Sequence, residues 1–314
     1  LEEYGIPVPK GIVTRNFGKA KKSLGEIPYP LVVKPLDGNH GRGVTVGVSD
    51  LKDFSQAFDT AKLQSRNGYV IVERTLVGND YRMLVINGKM VAAAHRIPAH
   101  VTGDGHHTLQ ELIDRENDNP LRGYGHENIL TEITIDDQTK RLIGNTSYNL
   151  NSVLPKGEVM TLKTTANLST GGTAIDITDE IHSANVHIAE RAIQLIGLDV
   201  GGVDIIAPNL TTPLDESGGG IVEINAAPGF RMHLQPTSGL ARNVAEPIID
   251  MLFPPGIRST IPLIAVTGTN GKTTTTRLIN HILKGAGSTV GMCTTEGVYI
   301  KNRLVYPGDM TGPK

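Results

Sequence analysis

The amino-acid sequence predicts an α+β domain followed by the first strand, loop and helix of an α/β domain with a phosphate-binding loop. Short strands and helices alternate irregularly over residues 1–253, with glycine-rich turns between them. Within this region Asn87-Gly88 joins two apolar segments, a pattern typical of a β-hairpin. After Pro254, Pro255 and Gly256 the pattern changes to strand, glycine loop and helix. We therefore expect a first domain over 1–253, a linker over 254–260 and a truncated second domain over 261–314.

Hydrophobic periodicity and turn residues predict the individual elements. The predicted strands cover residues 31–34, 44–48, 69–73, 81–86, 89–94, 202–206, 220–224, 263–267 and 289–292. The predicted helices cover residues 50–64, 108–117, 180–196, 240–252 and 272–284. Ser49 is the expected N-cap of the first helix, because its hydroxyl can accept a bond from a free backbone N–H. An irregular insertion is expected around 98–165, where the stretch 120–165 is polar and hard to assign.

The two ends of the sequence suggest a fragment of a longer protein. The chain does not begin with Met, and Leu1 to Gly5 has the pattern of a last helical turn closed by a glycine cap. At the other end about 60 residues follow the linker, too few to bury a core of their own.

Composition and charge exclude several classes of protein. Hydrophobic residues make up 39% of the 314 residues and the net charge is −2, which disfavours disorder and gives no global attraction to nucleic acid or anionic lipid. No apolar run approaches the ~18 residues of a membrane span. Cys293 is the one cysteine, so no intrachain disulfide can form and a reducing, cytoplasmic location is expected.

A lysine followed by a glycine-rich loop forms the first candidate phosphate site. In VVKPLDGNHGRGV, residues 32–44, Lys34 ends a strand and can place its charge on a phosphate. Gly38, Gly41 and Gly43 would let backbone N–H groups approach phosphate oxygens. The alternative is a glycine-rich hairpin with a surface lysine.

Two oxygen-bearing side chains alternate on the apolar strand IVEINAAPG, residues 221–229. Glu223 and Asn225 therefore project from the same face. Burying them is costly unless a partner is present, and Mg²⁺ between phosphates would supply one, with Asp204 as a third ligand. The alternative for Asp204 is a buried carboxylate satisfied by arginine or by backbone.

The segment VERTLVGNDYR, residues 72–82, is a candidate nucleotide hinge. An apolar strand ends at Glu73 and turns through Gly78 to Asp80. Such a turn could hold adenine on backbone groups and ribose on a carboxylate, but it is equally an ordinary strand-turn-strand.

A second phosphate loop lies in LIAVTGTNGKTTTT, residues 263–276. Backbone N–H groups between Gly268 and Gly271, the start of the following helix and Lys272 would form an anion cradle, and the Thr273 hydroxyl would bind Mg²⁺. The spacing departs from the general G-x-x-x-x-G-K-[ST] form, because position 266 is Val. The alternative is a solvated turn before a helix.

The order and spacing of these segments resemble the ATP-grasp ligases, and within them the cyanophycin synthetase family. The matching stretches include VVKPLDGNHGRGV, GNDYRMLVINGKMVAAAHRIPAHVTGDG, NLSTGGTAIDIT, GLDVGGVDI and IVEINAAPGFRMH. They cover essentially all of residues 1–253. The short loop GTNGKTT resembles that of the Mur ligases, and the resembled family carries such a domain after its ATP-grasp module.

The resemblance implies a role for each matching residue. Nucleotide contacts in the first domain are implied for Lys34, Gly38, Gly41, Gly43, Glu73, Arg74, Leu76 and Asp80. Nucleotide contacts in the second domain are implied for Gly268, Thr269, Asn270, Gly271, Lys272 and Thr273. Metal ligation is implied for Asp204, Glu223, Asn225 and Thr273. Arg82 and Arg96 are the implied catalytic residues, placed for an acyl phosphate or a substrate carboxylate.

The resemblance also implies a reaction and its partners. ATP and Mg²⁺ are the implied cofactors, and the partners are aspartate, arginine and a growing Asp-Arg peptide primer, with no nucleic acid and no membrane. A homo-oligomer is expected for the complete protein. ATP-grasp enzymes use another nucleotide lysine upstream of GIPVP, and no residue before Leu1 supplies it. The rivals are a glutathione-synthetase-like or D-alanine-ligase-like enzyme, and a non-catalytic nucleotide-binding scaffold.

A few further residues carry weaker signals. NLSTGG, residues 167–172, has the composition of a mobile lid or of a plain polar turn. Arg231, Met232 and His233 are candidates for substrate contact or for a supporting structural role. His106 and His107 suggest a loop contact more than a metal pair, and Cys293 suggests a small buried filler.

Overall fold

The computed structural model describes residues 1–38, 42–125, 128–257 and 260–311. The chain divides into two compact units, Leu1–Pro255 and Gly256–Lys314. None of the helices in this described part has the length and apolar character that a membrane span needs.

The first unit is an α+β structure. Its strands are β1 Gly11–Thr14, β2 Leu31–Pro35, β3 Thr45–Val48, β4 Val70–Arg74, β5 Asn79–Ile86, β6 Lys89–Ile97, β7 His100–Thr102, β8 Arg122–Gly123, β9 Leu130–Thr131, β10 Val159–Thr161, β11 Thr173–Asp176, β12 Val200–Ala207 and β13 Gly220–Asn225. Its helices are α1 Phe17–Lys22, α2 Leu51–Gln64, α3 Leu109–Asn117, α4 Asp137–Gly144, α5 Ser183–Ile196, α6 Leu214–Ser217, α7 Arg231–Leu234 and α8 Ala245–Leu252.

A four-stranded antiparallel sheet in the order β1-β4-β2-β3 carries the glycine loop. The helix α2 covers it, because Phe54, Ala57, Phe58 and Ala61 recur on one helical face and are all buried. Phe54 stacks against Phe17 with ring centroids 5.3 Å apart. The predicted cap Ser49 is wrong by one residue: the side chain of Asp50 accepts the N–H of Asp53 at 2.8 Å, because Asp50 is the last residue with extended backbone.

A five-stranded antiparallel sheet in the order β11-β6-β5-β12-β13 forms the second layer. The predicted hairpin is confirmed: Asn87 and Gly88 connect β5 to β6 with φ of 49° and 74°, the positive values that a tight hairpin turn requires. Helix α5 packs on one face of this sheet and buries Ala189, Ala192 and Ile193 against it. The opposite face carries the polar residues described below.

The insertion between β6 and β11 has a small core of its own. The strands β7 and β10 pair, and α3 begins at a capping box formed by Thr108 and Glu111. Its buried side chains include Leu109, Ile113, Leu154 and Leu162. Leu109 and Ile113 belong to the predicted helix, whereas Leu154 and Leu162 lie outside any predicted element, so periodicity alone gave no assignment for 120–165.

Several boundaries differ from the predicted ones. The helix predicted over 240–252 begins only at Ala245, and the one predicted over 180–196 begins at Ser183, after a single 3₁₀ turn at Thr178–Glu180. At the start of the chain Glu2–Tyr4 form a 3₁₀ turn, and Gly5 closes it with φ 70°, the glycine cap that the sequence predicts.

The second unit consists of one helix and an antiparallel sheet. Its elements are α9 Lys272–Gly285, β14 Gly291–Thr294, β15 Gly297–Ile300 and β16 Arg303–Pro307. The helix is as predicted, but β14 begins two residues later than expected and pairs antiparallel with β15.

Two predictions for this unit are wrong. Residues 263–267 do not form a strand, and Leu263 is 89% exposed. A strand of a parallel sheet needs paired neighbours, and no described residue pairs with this segment. Cys293 is exposed rather than a buried filler, because β14 alternates and its inward residues are Met292 and Thr294.

The linker gives the first testable prediction. Residues 254–257 are all exposed, and exposed segments between compact units are preferred sites of proteolytic cleavage. Limited digestion with a protease of broad specificity should cut first between residues 253 and 261, and mass spectrometry of the products would locate the cut. A first cut inside the β5–β6 hairpin would contradict this division of the chain.

Candidate functional site

Strand register brings the predicted site residues onto one face of the five-stranded sheet. One row of cross-strand partners runs Asp176, Ala94, Arg82, Asp204, Glu223 from β11 to β13. Directly paired residues point to the same side of a sheet, as do residues two apart on one strand. Arg96, Asp80 and Asn225 therefore share this face. The sequence placed these residues on separate strands, and only the pairing unites them.

Asp204 is held by two arginines. Arg82 binds it in a bidentate manner, with Nε donating to Oδ1 and Nη2 donating to Oδ2 at 2.9 Å. Arg96 Nη2 donates to Asp204 Oδ2 at 3.0 Å, and Arg96 Nε donates to Asp80 Oδ1 at 2.7 Å. Arg82, Arg96 and Asp204 are each less than 10% exposed. We call these four residues the ion cluster.

Burial and mutual pairing set the protonation of the ion cluster. Burial raises the pKa of Asp80, although the Arg96 guanidinium counteracts it. Burial tends to lower the pKa of Arg96, but Asp204 and Asp80 hold it above its usual range. The Asp204 carboxylate is therefore satisfied by arginine, which is one of the alternatives that the sequence left open. Asp80 is the residue implied to bind ribose, and one of its carboxylate oxygens accepts a hydrogen bond from Arg96.

Lys34 joins the two sheets of the first unit. Its Nζ donates to Glu73 Oε1 at 2.6 Å on the neighbouring strand and to the carbonyl oxygen of Val222 at 3.3 Å on β13. Glu73 is 8% exposed, and burial raises its pKa despite the Lys34 ammonium. The lysine predicted to bind phosphate thus contacts the residue that precedes Glu223, the predicted metal ligand.

The hinge after β4 follows Glu73, which bonds to Lys34. We call the region around the contact between Lys34 and β13 the cleft. The N–H of Arg74 donates to the carbonyl of Lys10 at 2.9 Å, and the following turn leaves Val77 79% exposed. Gly78 has φ 151° and lies against the backbone of Ala207 and Pro208, so a side chain there would not fit. Leu76 lies close to Gly220 of β13. The hinge therefore presents backbone and apolar surface beside Lys34.

Two of the three predicted loop glycines are described. Gly43 has φ 72°, and an added Cβ would lie 2.9 Å from Gln64 of α2. Gly38 precedes the loop, where an added Cβ would clash with the Pro35 ring. Gly41 lies outside the described residues. At both described positions glycine is required by close approach of neighbouring groups.

The metal-ligand candidates fit a magnesium site with few protein ligands. Glu223 is exposed and bonds to no other side chain in the described part of the chain. Asn225 could ligate a metal only through its amide oxygen, because the buried Nδ2, which has no partner among the described residues, is a hydrogen-bond donor. No group of three or more His, Cys, Asp or Glu residues within the described ranges could hold a metal ion. Mg²⁺ suits such a site, since it is commonly bound by one or two carboxylates together with phosphate oxygens.

His233 is a further buried polar side chain at this site. It is 2% exposed, and neither ring nitrogen has a partner among the described residues. Burial, with the nearby Arg82 and Arg96, lowers its pKa to about 4, although Asp176 acts in the opposite direction. The imidazole is therefore neutral near pH 7. The sequence named this residue, but gave no reason to prefer a substrate contact.

The NLSTGG segment is a fixed turn in this structure. Leu168 is buried against Ala94 and Ala174, and Arg122 Nη1 donates to the carbonyl of Gly171 at 3.0 Å. An added Cβ on Gly171 would lie 2.8 Å from Ile133 of the insertion. In this structure the segment is thus a packed turn, and Arg122 links it to the insertion.

The paired histidines take part in a loop contact. Asp104 accepts the backbone N–H groups of His106 and His107, both at 2.9 Å, and contacts His107 Nδ1 at 2.6 Å. The two backbone bonds lower the Asp104 pKa. This geometry fixes the start of α3 and leaves His107 bound to protein groups.

The second phosphate loop ends at the start of α9. Gly271, with φ 78°, is the N-cap, so Lys272 is the first helical residue. Lys272 Nζ donates to the carbonyl oxygen of Gly268 at 2.7 Å. The lysine thus folds back over the loop, next to the free N–H groups and positive end of the helix dipole.

Comparisons with known proteins match the two parts of the chain to two different families. Residues 2–118 match the family model of the prokaryotic glutathione synthetase ATP-grasp domain, and residues 266–313 match the Mur ligase middle domain. A crystal structure of a bifunctional glutathione synthetase from Pasteurella multocida is similar at 33% identity with a TM-score of 0.59, covering 81% of this chain and 35% of that one. The first unit therefore has the ATP-grasp fold, the fold of a class of ATP-dependent ligases.

Over its entire length the chain is similar to cyanophycin synthetases. It is 52% identical to the protein of Crocosphaera subtropica and 53% identical to that of Geminocystis herdmanii. In each case it spans 36% of the relative's length. The chain thus resembles about a third of the length of these cyanophycin synthetases.

We predict that glycine is needed at position 202 because the Arg82 side chain packs directly against it. An added Cβ at this position would lie 2.8 Å from Pro228 Cβ and 3.0 Å from Arg82 Cδ. Gly202→Ala should therefore destabilise the first unit by about 1–3 kcal/mol. In an Arg82→Ala background the cost should shrink, because the space is then vacant. Denaturant unfolding of the four proteins measures this coupling.

Gly229→Ala is the matched control, because an added Cβ there meets nothing within 4 Å. It should leave stability nearly unchanged. If Gly202→Ala lowers the free energy of unfolding equally with and without Arg82, then the glycine is needed only for the packing of Pro228.

His233 should make the first unit acid-sensitive. Its folded-state pKa of about 4 lies below the unfolded value of 6.5, so the unfolded state binds a proton first as pH falls. The stabilisation is complete above pH 6.5 and is lost between pH 6.5 and 4, about 3 kcal/mol in total. His233→Gln should remove this part of the pH dependence, whereas Gln at the exposed His187 should not. If the free energies of unfolding of His233→Gln and of the unsubstituted chain change with pH in parallel, this prediction is wrong.

Proposed function

We propose that this chain is the central part of an ATP-dependent carboxylate–amine ligase that makes amide bonds through an acyl phosphate. One observation carries the proposal: Lys34 of one sheet contacts β13 of the other, the strand of Glu223 and Asn225, and two arginines lie on the same face of that second sheet. The family relationship and the second phosphate loop support it. The proposed modules are the ATP-grasp domain over 1–253 and the start of the Mur-like domain over 261–314.

The proposed reaction has two steps. A substrate carboxylate oxygen attacks the γ-phosphorus of ATP, and ADP leaves. The amine of the second substrate then attacks the carbonyl carbon, phosphate leaves with the bonding electron pair, and the amine loses a proton. No covalent enzyme intermediate is needed, so the protein has to position the groups and stabilise negative charge.

The residues of the cleft suit these tasks. Lys34 would hold ATP phosphates under the loop that includes Gly38, Gly41 and Gly43, and its present partner Glu73 would keep it oriented. Adenine would lie on the hinge at Arg74 and Leu76, with Asp80 toward the ribose. Arg82 and Arg96, as guanidinium groups, can bind a carboxylate or acyl phosphate in a planar manner.

Asp204, Glu223 and Asn225 would hold Mg²⁺ in this cleft. The metal would neutralise charge on the phosphate oxygens during transfer. Glu223 would offer its exposed carboxylate and Asn225 its amide oxygen. Asp204 would contribute its carboxylate from between the two arginines.

For the complete protein we propose the substrates that the family name implies. Aspartate would be added to a growing Asp-Arg primer at the Lys34 site, and arginine at the Mur-like site. There Gly268, Thr269, Asn270, Gly271 and Lys272 would cradle phosphates, and Thr273 would bind Mg²⁺. The proposal is for a cytoplasmic homo-oligomer that acts on amino acids and peptides rather than nucleic acid or membranes.

A glutathione-synthetase-type activity is the second candidate. It is favoured by the match of residues 2–118 to the glutathione synthetase model and by a glutathione biosynthesis bifunctional protein of Pasteurella multocida, 33% identical over 81% of this chain. The match to the Mur ligase middle domain and the higher identity to cyanophycin synthetases weigh against it.

Two lysine variants of the full-length protein test the division between sites. Lys272→Ala should still add one aspartate to an arginine-bearing primer and then stop. Lys34→Ala should block aspartate addition yet add arginine to a primer that ends in bare aspartate. Each loss should be about 100-fold or more, since single electrostatic groups at phosphoryl transfer contribute on this order. Mass spectrometry of single-step products distinguishes them.

The unsubstituted protein with γ-glutamylcysteine and glycine is the control for the second candidate. If the protein forms a product from γ-glutamylcysteine and glycine but none from aspartate and primer, the proposed substrates are wrong. If Lys272→Ala stops aspartate addition and spares arginine addition, the two sites have the reverse assignment.

A further inference from the structure

The short helix α7 places His233 on the same face of the sheet as the ion cluster. It packs on β6 and β11, where Ala94 and Ala174 are small enough to make room for Met232. The backbone of His233 is fixed on both sides: its N–H donates to Phe230 at 2.9 Å, and its carbonyl accepts the N–H of Arg242 at 2.8 Å. The ring is thus held in place beside the cleft.

The imidazole lacks the partners that buried polar groups normally have. Most buried side-chain nitrogens in native proteins are hydrogen-bonded, and leaving one unpaired is costly. Here both ring nitrogens are buried and unpaired within the described ranges. A neutral imidazole has one N–H donor and one acceptor nitrogen, and because the two point to nearly opposite sides of the ring, the donor needs an acceptor of its own.

The charged groups around the ring leave its donor without an acceptor. Arg82 and Arg96 lie near enough to influence it electrostatically, but guanidinium groups only donate. The nearby Asp176 is already bound by Arg242 at 2.7 Å and by Thr178. Two cations and a free N–H together favour an anionic oxygen from outside the protein.

We infer that His233 is a specificity-determining residue that recognises the C-terminal residue of the peptide whose carboxylate is activated. Its N–H would donate to the terminal carboxylate beside Arg82 and Arg96, while its other ring nitrogen, which points to the far side of the ring, would accept from a different donor. This rests on the proposed ligase function, in which the substrate carboxylate is held near these arginines and the ATP phosphates near Lys34. The arginines, now turned to Asp204, would turn toward the incoming carboxylate and open the ring to it.

Equilibrium binding tests the inference without turnover. The full-length protein would be titrated calorimetrically with a short Asp-Arg peptide that ends in a free carboxylate, and with its C-terminal amide. His233→Leu should weaken binding of the acid about tenfold or more, the size of a lost hydrogen bond to a charged group. His233→Gln, which keeps one donor and one acceptor, should lose less than about threefold. The amide should bind all three proteins with similar, low affinity.

His95→Leu is the matched control. His95 lies on the opposite face of β6, next to Arg96 in sequence, and stacks on Tyr81 at 5.1 Å. It should leave the affinity for both peptides unchanged. Thermal unfolding of each variant would show that it is folded at the temperature of the titration.

Three results would overturn the inference: no binding of the acid peptide by the unsubstituted protein, unchanged affinity in His233→Leu, or equal weakening for acid and amide. The proposed function fails differently. If the unsubstituted protein binds the acid peptide but releases no ADP with ATP, Mg²⁺ and aspartate, then the reaction is wrong while the recognition by His233 still stands.

Discussion

The first unit depends on one shared carboxylate, that of Asp204 between Arg82 and Arg96. A buried carboxylate alone would be strongly destabilised, and so would two buried guanidinium groups. Together with Asp80 they neutralise one another, which allows a polar face to exist inside a sheet whose other face packs on α5. Removing any one member would leave the remaining charges uncompensated, so the cluster restricts what neighbouring positions can hold. Gly202 is an example, because the guanidinium of Arg82 fills the space next to it.

A second ion pair sets the relation between the two sheets of the first unit. Lys34 bonds to Glu73 within its own sheet and to the Val222 carbonyl in the other. Its ammonium therefore lies at the junction of the two sheets. The Glu73 carboxylate compensates the charge of this lysine, and burial favours protonation of Glu73. Anionic ligands entering the cleft would meet one lysine and two arginines whose present partners are acidic side chains.

The insertion contributes to the site through contacts rather than through catalytic groups. Arg122 reaches from the insertion to the Gly171 carbonyl, and the turn that contains Gly171 covers Ala94 beside the ion cluster. The packing of Leu168 and Met232 on the same small residues ties this turn to α7. The insertion, the turn and the helix α7 that carries His233 are thus connected by packing contacts.

The sequence by itself determined the local elements and the chemistry of the motifs. Asn87-Gly88 dictates its hairpin, and Gly271 before Lys272 dictates a helix start with free N–H groups, because both depend only on backbone conformation. The α2 helix followed from the spacing of Phe54 and Phe58. The site residues could be named, since lysine, glycine and carboxylate patterns express the chemistry of phosphate binding.

Only the tertiary structure decided which of these residues meet. The pairing of Asp204 with Arg82 depends on the register of β5 against β12, two strands separated by 113 residues of sequence. The isolation of His233 depends on every group around it. Residues 263–267 read as a strand because they are apolar, yet a strand exists only through its neighbours. Local preference acts within a few residues, whereas register, burial and charge pairing are fixed by contacts that the whole fold creates.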